Sequence, residues 1–460
     1  MNSEYKLFTG FSTILDPFRT TPEGKGALLV KNNIIHDLGS VKEMEERYPN
    51  VNVALDCSGC AVAPGLVDAH THLFQTIGRT LGDGLTLLPW LERFMLPLAA
   101  QMTRADAVAI AKYAALHSMK CGTTALIDNH YAPTDFETIQ AVCDAVESVG
   151  MRGVIARGVF GQMVEGGRAM GCDPRLFFRS KRDEIDETAA CINARAKHSR
   201  VQVWPMPENI VYVDPELIAA CHDLSVRYDV GWQAHCSESK FEVDIFQRLH
   251  GLRPVNWLYK NGMLSDRTSL AHGIWLDDEE IGNIGESGAS IVHCPVSNQY
   301  LGSGIVKLQP LRGAGVNIAL GTDGTAVGGK SIFEAMKNAL LMQRLRELDP
   351  SCTNSLLVFE MGTISGSKTL RQNIGKLEIG SQADFLVIDL NKYHHHPTQN
   401  IITDVVMFTE SNDIRDVIID GEVVIKNGRS TKVDETQIMQ DAINASKAMV
   451  RRADLQGLLM

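Results

Sequence analysis

Two histidines spaced two residues apart, His70 and His72, stand at the end of an apolar run that begins at Ala61. In a β-strand, residues i and i+2 point to the same face, so both imidazoles leave the strand together and can grip one divalent metal ion. Three more pieces follow later apolar runs: His235 with Glu238, then His272, then Asp323 flanked by glycines. A lone His-x-His pair is as often a hydrogen-bonded core feature. Its recurrence with further histidines and an aspartate at later strand ends tips the reading towards chemistry. Three imidazoles and one carboxylate satisfy a Zn²⁺ or Fe²⁺ ion and leave one position for water. Water on such an ion has a pKa near ~7 and is available as hydroxide.

These groups are far apart in the chain, so secondary structure must bring them together. Strands are expected at Ala61–Asp68, Thr124–Asp128, Arg152–Arg157, Val201–Trp204, Val230–Ala234, Thr268–Ala271, Ala289–Val292 and Val316–Leu320. Helical stretches such as Arg104–Cys121, Phe136–Val149, Pro215–Tyr228 and Ser331–Leu348 lie between them, with Asp214 a natural N-cap and Gly150 a natural C-cap. Alternation of this kind predicts an α/β protein with a parallel (β/α)₈ TIM barrel, whose active site lies at the C-terminal strand ends. His70, His72, His235, His272, His293 and Asp323 all fall there or just beyond.

The two ends of the chain read differently. Residues 27–35 and 416–425 look like hairpins, the second with an Asp-Gly turn. The expectation is a composite β-sandwich domain from 1–58 and 377–460 around a barrel at 59–376, with a closing helix near Glu435–Ala453. The run His394-His395-His396 is expected in a solvated loop.

The chain has 460 residues and a net charge of −11. That balance argues against a broad nucleic-acid-binding face, which needs a basic surface. Ten cysteines in no regular framework, with a single CxxC pair at Cys57 and Cys60, suit reduced thiols. The N-terminus lacks the pattern of a secretory signal, and no run approaches the ~18 apolar residues of a membrane span. A soluble, cytoplasmic protein acting on a small molecule is expected, with neither nucleic acid nor membrane as partner.

The split β domain, the PGLVDAHTH strand, HCSE, LAHG, HCPVSN and GTDG, in this order, resemble the amidohydrolase superfamily. Within it the chain is similar to the branch of metal-dependent deaminases and s-triazine hydrolases. The resemblance implies His70, His72, His235 and Asp323 as ligands of one divalent ion, Zn²⁺ first and Fe²⁺ second. It implies Glu238 as the acid that protonates a ring nitrogen while hydroxide attacks the ring carbon. His272 would orient the hydroxide. Asp323 would take a proton from the water and pass it to the leaving amine. Many relatives hold two ions bridged by a carbamylated lysine after strand four. Here that region, Val201–Asn209, has no lysine, so a mononuclear site is expected. Relatives are commonly dimers or larger, which implies a homo-oligomer.

Candidate substrate contacts are Gln75, Trp90, His130, Arg157 and Asn298. Trp90 is read as a ring-stacking wall or as core, and Arg157 as a substrate contact or as the partner of a carboxylate. Asn298 is read as a ligand contact or a structural hydrogen-bonder, and Glu208 as a loop residue or substrate contact. Relatives that act on nucleosides carry a glutamate where this chain has Pro89, and a Pro-His-x-Pro stretch where it has Met206; a base without sugar fits better. Dehalogenating relatives carry an asparagine and a serine where this chain has Gly324 and Val327. The expected activity is hydrolytic deamination of an amino-substituted heterocycle such as an s-triazine, pterin or purine base. Chloride, alkylamine or cyclic-amide hydrolysis, and adenosine-type nucleoside deamination, are the alternatives.

Overall fold

The computed structural model describes residues 5–16, 24–195, 199–329 and 331–458. Eight strands of the middle region form two four-stranded parallel sheets. The first holds β1 (Leu66–Thr71), β2 (Thr123–His130), β3 (Arg152–Val159) and β4 (Val201–Pro207). The second holds β5 (Trp232–Cys236), β6 (Thr268–His272), β7 (Ser290–His293) and β8 (Asn317–Leu320). Parallel bridges Thr71–Asp323 and Asn209–His235 link the outer strands of one sheet to those of the other just past their C-terminal ends. The strands are almost wholly buried, as parallel strands covered by helices must be.

Capping residues start the intervening helices where the sequence places them. Thr103 and Asp106 form a capping box before Arg104–Lys120, and Ser239 and Glu242 another before Lys240–His250. Asp214 accepts from the Glu216 N–H ahead of Pro215–Tyr228. Each such cap stabilises its helix by about 1 kcal/mol. Gly150 follows Phe136–Ser148 with φ +95°.

One expected strand is in fact two. Ala61–Pro64 pairs antiparallel with Phe385–Ile388, and β1 begins only at Leu66. Gly65 makes the break: a Cβ there would lie 2.1 Å from the Thr124 hydroxyl oxygen. Its N–H bonds the Asp384 carbonyl at 3.0 Å, and the chain then changes sheets.

The terminal segments build two further sheets. One runs in the order Ile34–Ser40, Gly26–Lys31, Tyr5–Phe11, Val53–Asp56. The other runs Arg429–Ser430, Glu422–Lys426, Ile414–Ile419, Phe385–Ile388, Ala61–Pro64, Thr13–Ile14. Phe8, Phe11, Val30, Phe385, Val387 and Ile418 pack into one core between them. The hairpin turns use left-handed backbone at Asn32, Asp420 and Gly421. The buried Arg152 guanidinium binds Asp384 at 2.7 Å and fastens this unit to β3.

All ten cysteines are free and nine are buried. Among the described residues no helix is long and apolar enough to cross a membrane. The triple-histidine run is not a solvated loop throughout: Tyr393–His395 is a short helical turn with His395 buried.

Candidate active site

Asp68, His70 and His72 lie two apart on one face of the β1 segment. Asp68 accepts from the Thr322 N–H at 3.0 Å and its hydroxyl at 2.5 Å, which holds the turn after β8 against β1. The Asp323 N–H then bonds the His70 carbonyl at 3.0 Å, and the Thr71 hydroxyl donates to the Asp323 carbonyl at 2.8 Å. Asp323 takes φ +58°, a conformation Asp tolerates better than most residues. Gly324 follows because a Cβ there would strike the Gln75 side-chain oxygen at 1.7 Å.

Each of three imidazoles ties its Nδ1 to an oxygen. His70 Nδ1 lies 2.8 Å from Gln233 Oε1, His72 Nδ1 2.8 Å from the Asn129 carbonyl, and His235 Nδ1 2.6 Å from the Glu208 carbonyl. Donation through Nδ1–H leaves the Nε2 lone pairs free, and this fixes the tautomer suited to a metal ligand. Those lone pairs converge. His72 Nε2 is 3.2 Å from His235 Nε2 and 3.2 Å from Asp323 Oδ1, and His70 Nε2 is 3.5 Å from the same oxygen. The His70 Nε2 is buried and has no hydrogen-bond partner among the described residues. Acceptors facing acceptors at this spacing repel unless a cation lies between them. The donor set therefore fits a divalent ion.

Titration follows the same crowding. Burial pushes the Asp323 carboxyl up, but the His70 and His72 imidazoles beside it, with His272, outweigh burial and hold it well below the usual range. Burial, with His70, His72 and His272 adding to it, drives the His235 imidazole well below its ordinary value. Burial also takes His272 down to about 3, so these rings stay neutral.

His272 plays a different part. Its Nδ1 accepts from the Asn298 amide at 3.1 Å, which leaves a hydrogen on Nε2. That nitrogen lies 3.5 Å from Glu238 Oε2. The other Glu238 oxygen accepts from the Ser303 hydroxyl at 2.9 Å. Burial first, then Glu242 and Asp323, raise the Glu238 carboxyl well above its ordinary value.

These groups line a cleft with Leu87, Trp90, Leu91 and Leu301 as apolar walls and with Gln75, Tyr131, Glu208 and Tyr212 as polar ones. Gln75 Oε1 and Trp90 Nε1 are buried without hydrogen-bond partners among the described residues. Glu208 lines the cleft and bonds the Tyr212 hydroxyl.

Three candidate substrate contacts lie off the cleft wall. Arg157 is fully buried, with Nη1 2.8 Å from Glu184, Nη2 3.2 Å from Glu187 and Nε on the Thr134 carbonyl; its fork is filled. His130 bonds the Pro133 carbonyl at 3.1 Å and packs on Phe74. Its neighbour Tyr131 faces the cleft instead, because successive residues of extended backbone point opposite ways. Asn298 sits behind His272 rather than on the cleft wall. His293 is buried, with neither ring nitrogen partnered among the described residues, and lines no part of the cleft.

Gln233, Asn129, Asp68, Tyr131 and Tyr212 were missed. Gln233 and Asp68 each lie two residues before a site histidine, so strand periodicity carried a signal for both. The others had none.

The Amidohydrolase family profile matches residues 61–424. The chain belongs to the amidohydrolase family. This amidohydrolase is 32% identical over 404 residues to a 5-methylthioadenosine/S-adenosylhomocysteine deaminase of Thermococcus sibiricus, covering 87% of this chain and 90% of that one. It is 28% identical over 440 residues to a 5'-deoxyadenosine deaminase of Methanopyrus kandleri, covering 92% and 98%. Among solved structures, atrazine chlorohydrolase from Arthrobacter aurescens TC1 complexed with zinc superposes with a TM-score of 0.88 at 23% identity, over 96% of this chain and all (100%) of that one. An adenosine deaminase from Xanthomonas campestris with bound zinc superposes at 0.85 and 22%, over 96% and 98%. At these identities the structures speak to the fold alone. As an amidohydrolase with deaminases among its relatives, the protein is a hydrolase of carbon–nitrogen bonds in cyclic amidines.

Proposed function

We propose that this amidohydrolase is a metal-dependent hydrolytic deaminase of an aminated purine-type ring, releasing ammonia. The convergence of the His70, His72 and His235 Nε2 lone pairs on the Asp323 carboxylate carries the reading. These four residues are the ligands of one ion, Zn²⁺, and β4 has no lysine to bridge a second. The two parallel sheets are the halves of a (β/α)₈ barrel, and the terminal sheets its companion β-sandwich.

A divalent ion held there supplies Lewis acidity and brings the ionisation of water towards neutral pH. The side chains manage the protons. Asp323 takes one proton from the attacking water as its oxygen bonds to the ring carbon. Glu238, kept protonated by burial, gives its proton to the adjacent ring nitrogen. The Nε2–H of His272, fixed by Asn298, steadies the oxygen being added. Asp323 then passes its proton to the amino group, the carbon–nitrogen bond breaks and ammonia leaves. The adduct's hydroxyl proton returns to Glu238 as the carbonyl forms. Trp90 and the leucines wall the ring and exclude water, and the unpaired Gln75 oxygen is placed to accept an N–H from it.

A second reading, an adenosine-like nucleoside as substrate, is supported by the names of the curated relatives. The free-base reading is supported by Pro89 and Met206, which offer no side-chain polar group to a ribose; an unpaired buried hydroxyl costs about 1–3 kcal/mol. Ammonia release by zinc-loaded protein from adenine, guanine, adenosine, 5'-deoxyadenosine and melamine separates these. Ammonia from free bases alone supports the first reading, and ammonia from nucleosides alone the second. No ammonia from any of them would reject deamination.

A further inference from the structure

The triple-histidine turn lies outside the active site and outside the chemistry derived above. His394 and His395 sit on the turn Tyr393–His395, Asp404 on the helix Ile401–Phe408, and Asp413 at the end of the turn Ser411–Asp413 that feeds the strand Ile414–Ile419. His394 Nε2 lies 2.8 Å and His395 Nε2 3.3 Å from the same oxygen, Asp413 Oδ2. The potential ligand atoms of all three lie within 4.8 Å of one another.

Hydrogen bonding around this cluster repeats the logic of the active site. His395 Nδ1 lies 2.6 Å from Asp404 Oδ2. Two carboxylates therefore flank the buried His395 ring, Asp404 at Nδ1 and Asp413 at Nε2, and Asp413 Oδ2 also accepts the Glu410 N–H at 2.7 Å. Negative charge gathered at one buried point favours a bound cation. Carboxylate, histidine and ion in series is how metal-binding imidazoles are commonly oriented. His395, Asp404 and Asp413 are buried, while the His394 side chain is 36% exposed. His394 also borders an open groove with Phe408 and Glu410, so an ion has a path in from solvent.

We propose that His394, His395 and Asp413 form a second metal site, with Asp404 orienting His395, that takes a divalent transition ion such as Zn²⁺ and clamps the turn at 393–395 to the turn at 411–413. Two imidazoles and a carboxylate are the borderline donors that Zn²⁺ and its neighbours prefer, and solvent completes the shell. Its role is structural, since it ties two turns of the terminal region together.

The test is a count of bound metal. Protein is stripped with chelator, equilibrated with Zn²⁺, desalted and assayed by elemental analysis. Full-length protein is expected to hold one more equivalent than His394→Ala, and Asp413→Asn is expected to match His394→Ala. The variant His70→Ala is expected to keep the equivalent that His394→Ala loses. Because His394 is half-exposed, its replacement should leave the fold intact, and a circular dichroism spectrum checks this. Zn²⁺ contents that are equal in wild type and a folded His394→Ala would overturn the proposal. A failure at the active site gives a different pattern: wild type then holds one equivalent, still lost in His394→Ala.

Discussion

The protein carries two histidine–aspartate clusters, and they differ in how far the chain travels to build them. The first draws on β1, β5, β6 and the turn after β8, over residues 70 to 323. The second draws on residues 394 to 413. In both, Nδ1 is tied to an oxygen and Nε2 is aimed at a carboxylate. The first adds Glu238 and a cleft walled by Trp90, Leu87, Leu91 and Leu301. Holding a cation is therefore the easier half of the design, within reach of some twenty successive residues. Placing an acid and a dry ring-shaped cleft beside that cation needs strand ends gathered from across the chain.

The largest expected effect comes from removing a long-range ligand. His70→Ala should lose the active-site equivalent of metal and all measurable ammonia release; retention of both would break the comparison at its root. Next, Glu238→Gln should keep the metal while turnover falls by a factor of ~10²–10⁴. Its pH profile adds a sign. The Glu238 carboxyl is raised by burial, Glu242 and Asp323, so the acid form persists to higher pH than in an ordinary glutamate and is lost as pH rises through the raised value. Activity should fall on that alkaline limb in the wild type, and the limb should vanish in Glu238→Gln.

Arg157→Ala marks the edge of the first region. Breaking a buried pair typically costs about 3–5 kcal/mol, so denaturant unfolding should shift by that order while KM of the folded fraction stays put. A raised KM with unchanged stability would return Arg157 to the substrate. Gln233→Ala and Asp404→Ala compare the two clusters directly. Each removes the oxygen that orients one imidazole, and each should weaken its own site by about 10–100-fold, read as zinc affinity by competition with a chelator. The smallest effect sharpens the contrast: His394→Ala should leave turnover within about twofold while removing one equivalent of zinc.

Periodicity in the chain was a good guide wherever an element's own residues decide it. The apolar runs, the caps at Asp214 and Gly150 and the Asp420-Gly421 hairpin all sit within a residue or two of their expected places. It misled where a contact from elsewhere rules. The Ala61–Asp68 run reads as one strand because nothing local says that Asp384 will take the Gly65 N–H or that Thr124 leaves no room for a Cβ. Arg157 reads as a site residue because it ends a strand, and only the helix Lys181–Ala194 reveals Glu184 and Glu187 waiting for it. His130 and Tyr131 are equivalent on paper, and a half-turn of backbone decides which one meets the cleft.

What the sequence determined unaided was the inventory and its order: imidazoles and a carboxylate after successive apolar runs, an acid three residues past one of them, and sheets at both termini. Those follow from residue chemistry and from side-chain period, both local properties. What tertiary structure alone decided was convergence: which lone pairs meet, which polar groups are already satisfied by neighbours, and that His394, His395 and Asp413 close on one point. The reason is that distance in space between remote residues depends on how the sheets pack, and no property of a single residue encodes it.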